Sequence, residues 1–386
     1  MTLGHLVDGL AARGHRITII RPRQRAEKGA PARQCSGAVT QHLLPGLPIP
    51  GYPLLRFGLP AGGRLRRLWN PDRPDLVHIA TEGPLGYSAL NAARRLGLPV
   101  TSSFHTNFHQ YTHNYRFSWL FSLTARWLRS FHNRTLRTFA PTRELCAELA
   151  ADGYENLRVL SRGVDTALFS PARRSLGLRA AWGAAPEDPV IIHTGRLARE
   201  KNYGLIFRAF AAMQAANPRC RFVVVGDGPL RAGLQTRNRH CLFTGFVDRQ
   251  TLARHYASGD IYLHASTTET YGNVAAEALA SGLAFAGYDY AAAHELVRPD
   301  ASGLLVPLGD EAAFLAAAVR LATDPGLVTR LRAQAAAAVA SRSWHSVIAQ
   351  FETDLAEAVT EFHRRRSPRA PASPLGAAPS PSNPSP

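Results

Sequence analysis

Two glutamates eight residues apart, Glu269 and Glu277, lie in the stretch "TTETYGNVAAEALASG", Thr267 to Gly282. The first sits beside turn formers (Tyr271, Gly272 and Asn273), the second among helix formers. With a helix starting near Gly272, Glu277 falls in its second turn, and eight helical residues measure about 12 Å. The helix start between the two carboxylates offers unpaired backbone N–H groups and the positive end of the helix dipole, which favour an anion. Carboxylate, anion hole, carboxylate is also the order of parts in a nucleotide sugar. Sugar hydroxyls would meet Glu269, a diphosphate the Gly272–Val274 backbone, and ribose hydroxyls Glu277. Both glutamates would accept hydrogen bonds as ionised carboxylates. The competing reading makes Glu269 a helix cap and Glu277 a solvated helix position. The small apolar residues around Glu277 in "AAEALASG" argue against plain surface.

A second cluster is "HTGRLAREKN", His193 to Asn202. A strand is expected to end at Thr194–Gly195 and a helix to begin near Asn202, with Arg196 and Lys201 between. Ligands of open α/β sheets sit beyond the carboxyl ends of strands. A planar guanidinium and a compact ammonium at that place suit a diphosphate. Taken alone, the two cations are equally well read as solvated loop charges. "VVVGDGPLR", Val223 to Arg231, has a tight turn at Gly226 and Gly228 but no GxGxxG fingerprint. Asp227 is expected to shape that turn and Pro229 to open a helix, so this stretch reads as structural.

The elements that must carry these residues follow from apolar runs alternating with helical patterns, the mark of α/β units with parallel strands. In the first half the expected strands are 16–20, 75–80, 99–104 and 137–142, with a helix in "GPLGYSALNAARRLG" stopped by Gly97. In the second half they are 190–195, 221–226, 241–245, 261–266 and 283–288. "SPARRSLGLRAAWGAAPEDP", Ser170 to Pro189, has turn residues and no strand period, and reads as the connection between two Rossmann-like domains. The expected division is 1–169, 170–342, a helix over 343–366 packing back toward the first domain, and a tail, 367–386. Seven of the tail's twenty residues are proline, which predicts disorder.

Composition limits the alternatives. The chain has 386 residues, 45% of them hydrophobic, enough for two cored domains. Its four cysteines form no CxxC pair and join no histidine cluster, which speaks against a zinc site or disulfide framework and suits a reducing cytosol. No run approaches the ~20 apolar residues of a membrane span. The net charge of +17, from 45 Lys+Arg against 28 Asp+Glu, attracts polyanions or an anionic membrane face, or simply tracks an arginine-rich composition. No nucleic-acid-binding motif accompanies it, and an epimerase would want a GxGxxG turn with a Tyr-x3-Lys pair, which is absent.

On "ETYGNVAAEALASG", "GRLAREKN", "VVVGDGP", "TGFV" and "SGLLVPLGD", together with "HIATEGPLG", "TSSFHTNFH" and "RGVDTALFSP", the chain resembles the retaining glycosyltransferases of family four. The resemblance covers about Met1 to Arg365. It implies the GT-B fold, two Rossmann-like α/β domains facing across a cleft, the first binding acceptor and the second the nucleotide sugar. It implies that Glu277 binds donor ribose, that Glu269 holds a donor-sugar hydroxyl with backbone help from Tyr271 and Gly272, and that Arg196 and Lys201 neutralise the leaving diphosphate beside Gly195. Asn273 and Val274 belong to the same donor-binding helix start. His105, at the end of "PVTSSF", looks like the family's N-domain histidine that contacts the transferred sugar. There is no D-x-D motif, so no metal and no cofactor is expected.

The N-terminal motifs look most like family members that act on lipid acceptors. A hexose, with GDP-mannose as the favoured donor and UDP-glucose as the alternative, would pass to a lipid or glycolipid. "RFSWLFSLTARWLRSFHNRTLR" and "RLRRLW" mix aromatic and basic residues. They are read either as core-facing stripes or as a docking face for an anionic membrane. A cytoplasmic protein, peripheral on the inner membrane face, is the expected setting. The family begins with a strand and glycine-containing loop ahead of the segment matching "TLGHLVDGLAARGH". Their absence is expected to leave the N-terminal domain without its first strand. A protein that binds the nucleotide sugar without transferring it is therefore a further alternative.

Overall fold

The computed structural model describes residues 2–27, 29–49, 52–104, 118–267 and 271–366. His105, Glu269 and the Pro-rich tail lie outside the described residues.

The first half runs α1 (Thr2–Ala12), β1 (Ile17–Pro22), β2 (Arg33–Ser36), β3 (Val39–Leu44), β4 (Gly46–Ile49), β5 (Tyr52–Gly58) and α2 (Gly62–Trp69). It continues with β6 (Val77–Ile79), α3 (Pro84–Leu96), β7 (Val100–Ser103), α4 (Ser118–His132), β8 (Arg137–Ala140), α5 (Arg143–Ala151) and β9 (Leu157–Val159). Strands β6-β7-β8-β9 form one parallel sheet. β1-β3-β2 form a separate sheet, with β1 parallel to β3, and β4-β5 an antiparallel ribbon. The mixed β1-β3-β2 sheet and the parallel β6-β7-β8-β9 sheet share no strand pairing among the described residues. Helix α3 forms where expected: Pro84 opens it, and Gly97 closes it in the left-handed region at φ 65°.

The second half runs α6 (Leu176–Ala181), β10 (Val190–Thr194), α7 (Tyr203–Ala216), β11 (Arg221–Val225), α8 (Arg231–Arg237), β12 (Leu242–Gly245) and α9 (Arg249–Ser258). Then come β13 (Ile261–His264), α10 (Asn273–Ala280), β14 (Ala284–Tyr288), α11 (Ala291–Leu296), β15 (Gly303–Val306), α12 (Glu311–Thr323), α13 (Pro325–Ala338) and α14 (Trp344–Arg366). Its six strands make one parallel sheet in the order β12-β11-β10-β13-β14-β15. Every residue of β10, β13 and β14 is buried, as strands covered on both faces must be. Alternate side chains serve opposite cores. Ile191, Phe222 and Leu263 join one, with α7, α12 and α13; Val190, Ile192, Tyr262 and Phe285 join the other, with α9, α10 and α11.

The connection over 170–189 is more structured than its composition suggests. It contains α6, and the fully buried Arg179 ties it to the second half through Asp260 at 2.8 Å and the Ser258 carbonyl at 3.0 Å. The region 33–58 also differs from expectation: four short strands occupy a stretch rich in glycine and proline. Pro229 sits in a turn ahead of α8, which begins at Arg231, so it does not open the helix.

The chain crosses between the halves twice, side by side. The Val164 N–H bonds the Arg342 carbonyl at 2.9 Å, bridging Val164 to Ser343, and Gly163 lies so close under Trp344 that a Cβ there would come within 2.6 Å of the indole. From this seam α14 returns over the first half. Asp354 and Glu357 meet Arg137 at 3.1 and 3.0 Å, and Ile348 and Phe351 cover Leu6, Leu10 and Phe139.

Candidate active site

Strand order locates the crevice. β10 is followed by β11 on one side, and β13 lies on the other, so connections leave in opposite directions between β10 and β13. At such a switch point the loops after the two strands part and leave a cleft beyond their carboxyl ends. Those two loops carry the residues singled out from the sequence.

After β10, Gly195 adopts φ 141° and the backbone passes Arg196 before a 3-10 turn, Arg199–Lys201. Asn202 then turns at φ 53° into α7. Leu197 is fully buried and pins the loop, while Arg196 is exposed. The Lys201 chain folds back along Gly195, its Cε 3.8 Å from where a Cβ would sit. The "GDGP" turn braces this loop from behind: Gly195 N–H bonds the Val225 carbonyl at 3.0 Å, and Leu197 N–H the Asp227 carbonyl at 2.9 Å. The approach is too close for side chains. A Cβ on Gly226 would collide with the Gly195 carbonyl, and one on Gly228 would lie 2.5 Å from the Leu197 carbonyl oxygen. Asp227 shapes the turn, accepting from the Gly228 N–H at 2.7 Å and pairing with Arg231 at 2.8 Å. Those hydrogen bonds hold its carboxyl below the usual range.

After β13, the Ser266 hydroxyl donates to the Glu200 carbonyl at 3.1 Å, linking the two loops. Helix α10 opens at Gly272, which takes φ 88°, a left-handed conformation that glycine adopts without strain. The Ala275 N–H makes the turn back to Gly272, and the amides of Asn273 and Val274 precede it. The side chain of Tyr271 goes elsewhere. It is buried, and its hydroxyl donates to the Arg162 carbonyl at 3.2 Å beside the seam. Only its backbone stays with the loop, its carbonyl accepting from Ala292.

Glu277, half-buried in the second turn of α10, opens on a narrow cavity that also touches His5, Asp165, Arg249, Asn273 and Trp344. Burial pushes its carboxyl up to about 7, against the opposing effects of the Tyr256 hydroxyl and the Arg249 charge. Asn273 holds its side-chain oxygen buried with no hydrogen-bond partner among the described residues. A ligand donor would relieve that cost. His5 stacks on Trp344 at 4.4 Å and is held below its usual pKa, mainly by burial and then by Arg249.

The structure therefore brings together Gly195, Arg196 and Lys201 with Gly272, Asn273, Val274 and Glu277, and turns the Tyr271 ring away. His105 and Glu269 fall outside the described residues. Beneath the strand end that leads to His105, Phe104 packs on the buried His132 ring at 5.4 Å. His132 in turn meets Ser102 at 2.9 Å and Glu82 at 3.3 Å. Sequence reasoning missed this network, and it missed Tyr256, Thr194, Arg249 and His5. Thr194 lies in "HTGRLAREKN" and His5 in "TLGHLVDGLAARGH", but no spacing marks any of the four, and each enters the site only through tertiary contacts.

Known proteins resemble the chain in both halves. Residues 1–168 match the model of Glycosyltransferase Family 4, and residues 188–324 that of Glycosyl transferases group 1. A GDP-mannose-dependent alpha-mannosyltransferase of Mycobacterium tuberculosis (strain CDC 1551 / Oshkosh) is 34% identical over 306 residues, 79% of each chain. An alpha-monoglucosyldiacylglycerol synthase of Acholeplasma laidlawii is 26% identical over 300 residues, 72% of this chain and 73% of that one. Among solved structures, a sucrose-phosphate synthase from Thermosynechococcus elongatus aligns with TM-score 0.74 at 18% identity over 93% of each chain. Anabaena HepE in complex with UDP aligns with TM-score 0.66 at 19% identity, over 82% of this chain and 86% of that one.

Proposed function

The chain belongs to glycosyltransferase family 4 and has the GT-B fold, and from that premise we propose that it moves a hexose, mannose from GDP-mannose in the first instance, to a lipid or glycolipid acceptor. The observation that carries the reading is the pair of loops after β10 and β13, tied by the Ser266–Glu200 bond at the switch point. One loop brings two cations. The other brings a helix N-terminus, then a carboxylate one turn further on.

In this reading Arg196, Lys201 and the Gly272–Val274 amides receive the diphosphate, and Glu277 receives the ribose hydroxyls. Asn273 accepts a further donor hydrogen. Glu269 takes a hydroxyl of the sugar, and His105 meets the transferred sugar from the facing half. The anomeric C–O bond breaks through an oxocarbenium-like state. Negative charge grows on the diphosphate, where fixed cations and a helix dipole are worth more than mobile water. The acceptor hydroxyl attacks from the departing face, its proton passing to a phosphate oxygen, and the anomeric configuration is kept. Charge on the leaving group is met by side chains, so turnover is expected to survive EDTA; loss with EDTA and return with Mg²⁺ would reject that point.

The Mycobacterium relative's name supports a mannosyl donor, and the Acholeplasma relative's name supports glucosyl transfer to a lipid as the second reading. For acceptor access we propose peripheral docking of a cytoplasmic protein on the inner membrane face. On α4, Leu123 and Trp127 are exposed at 54% and 40% beside exposed Arg126 and Arg129. On α2, Leu65 and Trp69 are core, and the exposed side chains are those of Arg64 and Arg67. The residues most open to a membrane are thus on α4.

A thermal-shift screen of GDP- and UDP-sugars tests the donor. The expected result is a rise in Tm with GDP-mannose that E277A abolishes. No shift with any nucleotide sugar would reject the reading, and binding without transfer to any lipid would leave a nucleotide-sugar-binding protein. Co-sedimentation with anionic liposomes that is insensitive to salt, or absent, would reject the docking face.

A further inference from the structure

Tyr256, on α9, is fully buried, yet its hydroxyl touches two functional segments at once. It donates to the Glu277 carboxylate at 3.2 Å. The same oxygen meets the hydroxyl of Thr194, the last residue of β10, directly before Gly195 and Arg196. Thr194 is held in turn by Tyr262, whose hydroxyl lies 3.2 Å from the threonine hydroxyl and 3.3 Å from its carbonyl. A phenol has one proton to give. With that proton on Glu277, the Thr194 hydroxyl is the donor to Tyr256. The chain of donors therefore runs from Thr194 through Tyr256 to Glu277, from the strand end that carries the cations to the carboxylate on α10.

We propose that Tyr256 is a positioning residue for the nucleotide donor: its hydroxyl joins the Glu277 carboxylate to the end of β10, so that the ribose and diphosphate ends of the site keep a fixed spacing. This rests on the reading of Glu277 as the ribose acceptor. Two features favour the role over simple core packing. The aromatic ring would fill its place without a hydroxyl. And each of the two groups the hydroxyl touches leads directly to a part of the site, the carboxylate itself and the loop 195–201.

The hydroxyl also biases which form Glu277 takes. A donated O–H favours the ionised carboxylate, which is the form able to accept from two ribose hydroxyls. Other charged groups near Glu277 are Arg249 on α9, His5 on α1 and Asp165 in the segment before the connection. α11, also packed on α10, carries His294, paired with Asp289, and Glu295, which meets Arg143 and Arg342. α13 carries Arg330 and Arg332, the latter held by Asp260, and β14 carries Tyr288, which packs in the opposite core. His294, raised above its usual value by Asp289, and the terminal phosphate of the probes also titrate in this range, so the part of the profile that E277Q removes is the part that reports Glu277.

The test uses the full chain with GDP and UDP as probes, titrated calorimetrically from pH 5.5 to 9 in roughly half-unit steps. Wild type, Y256F, T194V, T194S and E277Q are compared. Loss of a hydrogen bond to a charged group weakens binding about tenfold or more. Y256F is expected to show that loss at pH 7 and to move the midpoint of the binding profile upward, with the part of the loss that comes from spacing persisting at pH 9. T194V is expected to weaken binding as well, and T194S to restore it. If Y256F does not fold, the threonine pair carries the test. E277Q losing binding while Y256F keeps wild-type affinity and midpoint would overturn the proposal and leave the ribose reading intact. A loss in Y256F with an unmoved midpoint, or equal affinity in T194V and wild type, would reduce Tyr256 to packing. Undiminished binding by E277Q would reject the ribose reading itself.

Discussion

The Ser266 hydroxyl donates a 3.1 Å hydrogen bond to the carbonyl of Glu200, and so fastens the loop after β13 to the loop after β10. These loops hold opposite ends of the proposed donor. Their separation is set by this bond and by the sheet beneath. S266A is expected to raise the dissociation constant for nucleotide severalfold, in keeping with a net hydrogen-bond contribution of about 1 kcal/mol. Because Ser266 is buried, a small fall in Tm should accompany it. Calorimetry and thermal melts on the same variant separate the two effects.

Glu277 makes the unliganded protein sensitive to pH. Its carboxyl, raised by burial from 4.5 to about 7, keeps its proton where the unfolded chain has already lost it. The folded state therefore binds the extra proton between those values, and its stability falls as pH rises through that window. E277Q removes the ionisable group. It is expected to melt a few degrees above wild type at pH 8, where about 1 kcal/mol moves Tm by roughly 2–4 °C, and to lose the difference at pH 4.5. The same variant should fail to bind nucleotide. An equal Tm gap at both pH values would show that burial of the charge is not the cause.

The cations are separable from the fold. Arg196 is exposed and Lys201 half-buried, and neither belongs to a core. R196A and K201A should each lower kcat by about 10²–10³, the usual cost of removing one fixed group that meets transition-state charge. Tm should change by less than a few degrees, because surface substitutions cost within about 0.5 kcal/mol. Steady-state kinetics with melts on the same samples check both halves of the statement.

G228A attacks the same loop from behind. Its Cβ would sit 2.5 Å from the Leu197 carbonyl oxygen, and that oxygen belongs to backbone and cannot swing aside. A loss of about 2 kcal/mol or more in stability is expected, with donor affinity falling along with it as the 195–201 loop is displaced. Urea unfolding with nucleotide titration measures both. A variant of unchanged stability would mean the turn relaxes freely.

These outcomes depend on features the sequence reveals unevenly. The strands of the second half were legible because parallel strands buried on both faces read as unbroken apolar runs, as in "VIIHT" and "RFVVV". The start of α10 was legible because Gly272 and the helix formers after it leave little choice. Strands β4 and β5 were not, because Pro48 and Pro53 lie inside them and proline inside a run normally marks a loop or edge. Nor could spacing show that the Tyr271 ring points to Arg162 while its backbone stays at the site. Tyr256 reaches Glu277 across twenty-one positions and Thr194 across sixty-two. Neither separation fits a helical or strand period, so only the folded arrangement of α9, α10 and β10 discloses them.

The return of α14 decides how the molecule can be taken apart. Its Ile348 and Phe351 seal Leu6, Leu10 and Phe139, and its acidic residues neutralise the buried Arg137. A fragment cut at residue 169 would expose those side chains and strand a guanidinium in apolar surroundings. The sequence-contiguous first half is thus a poor candidate for independent expression. A version with residues 344–366 supplied as a separate peptide, or spliced ahead of α1, would restore the seal, so a two-piece complementation assay becomes a practical way to study the first half apart from the second.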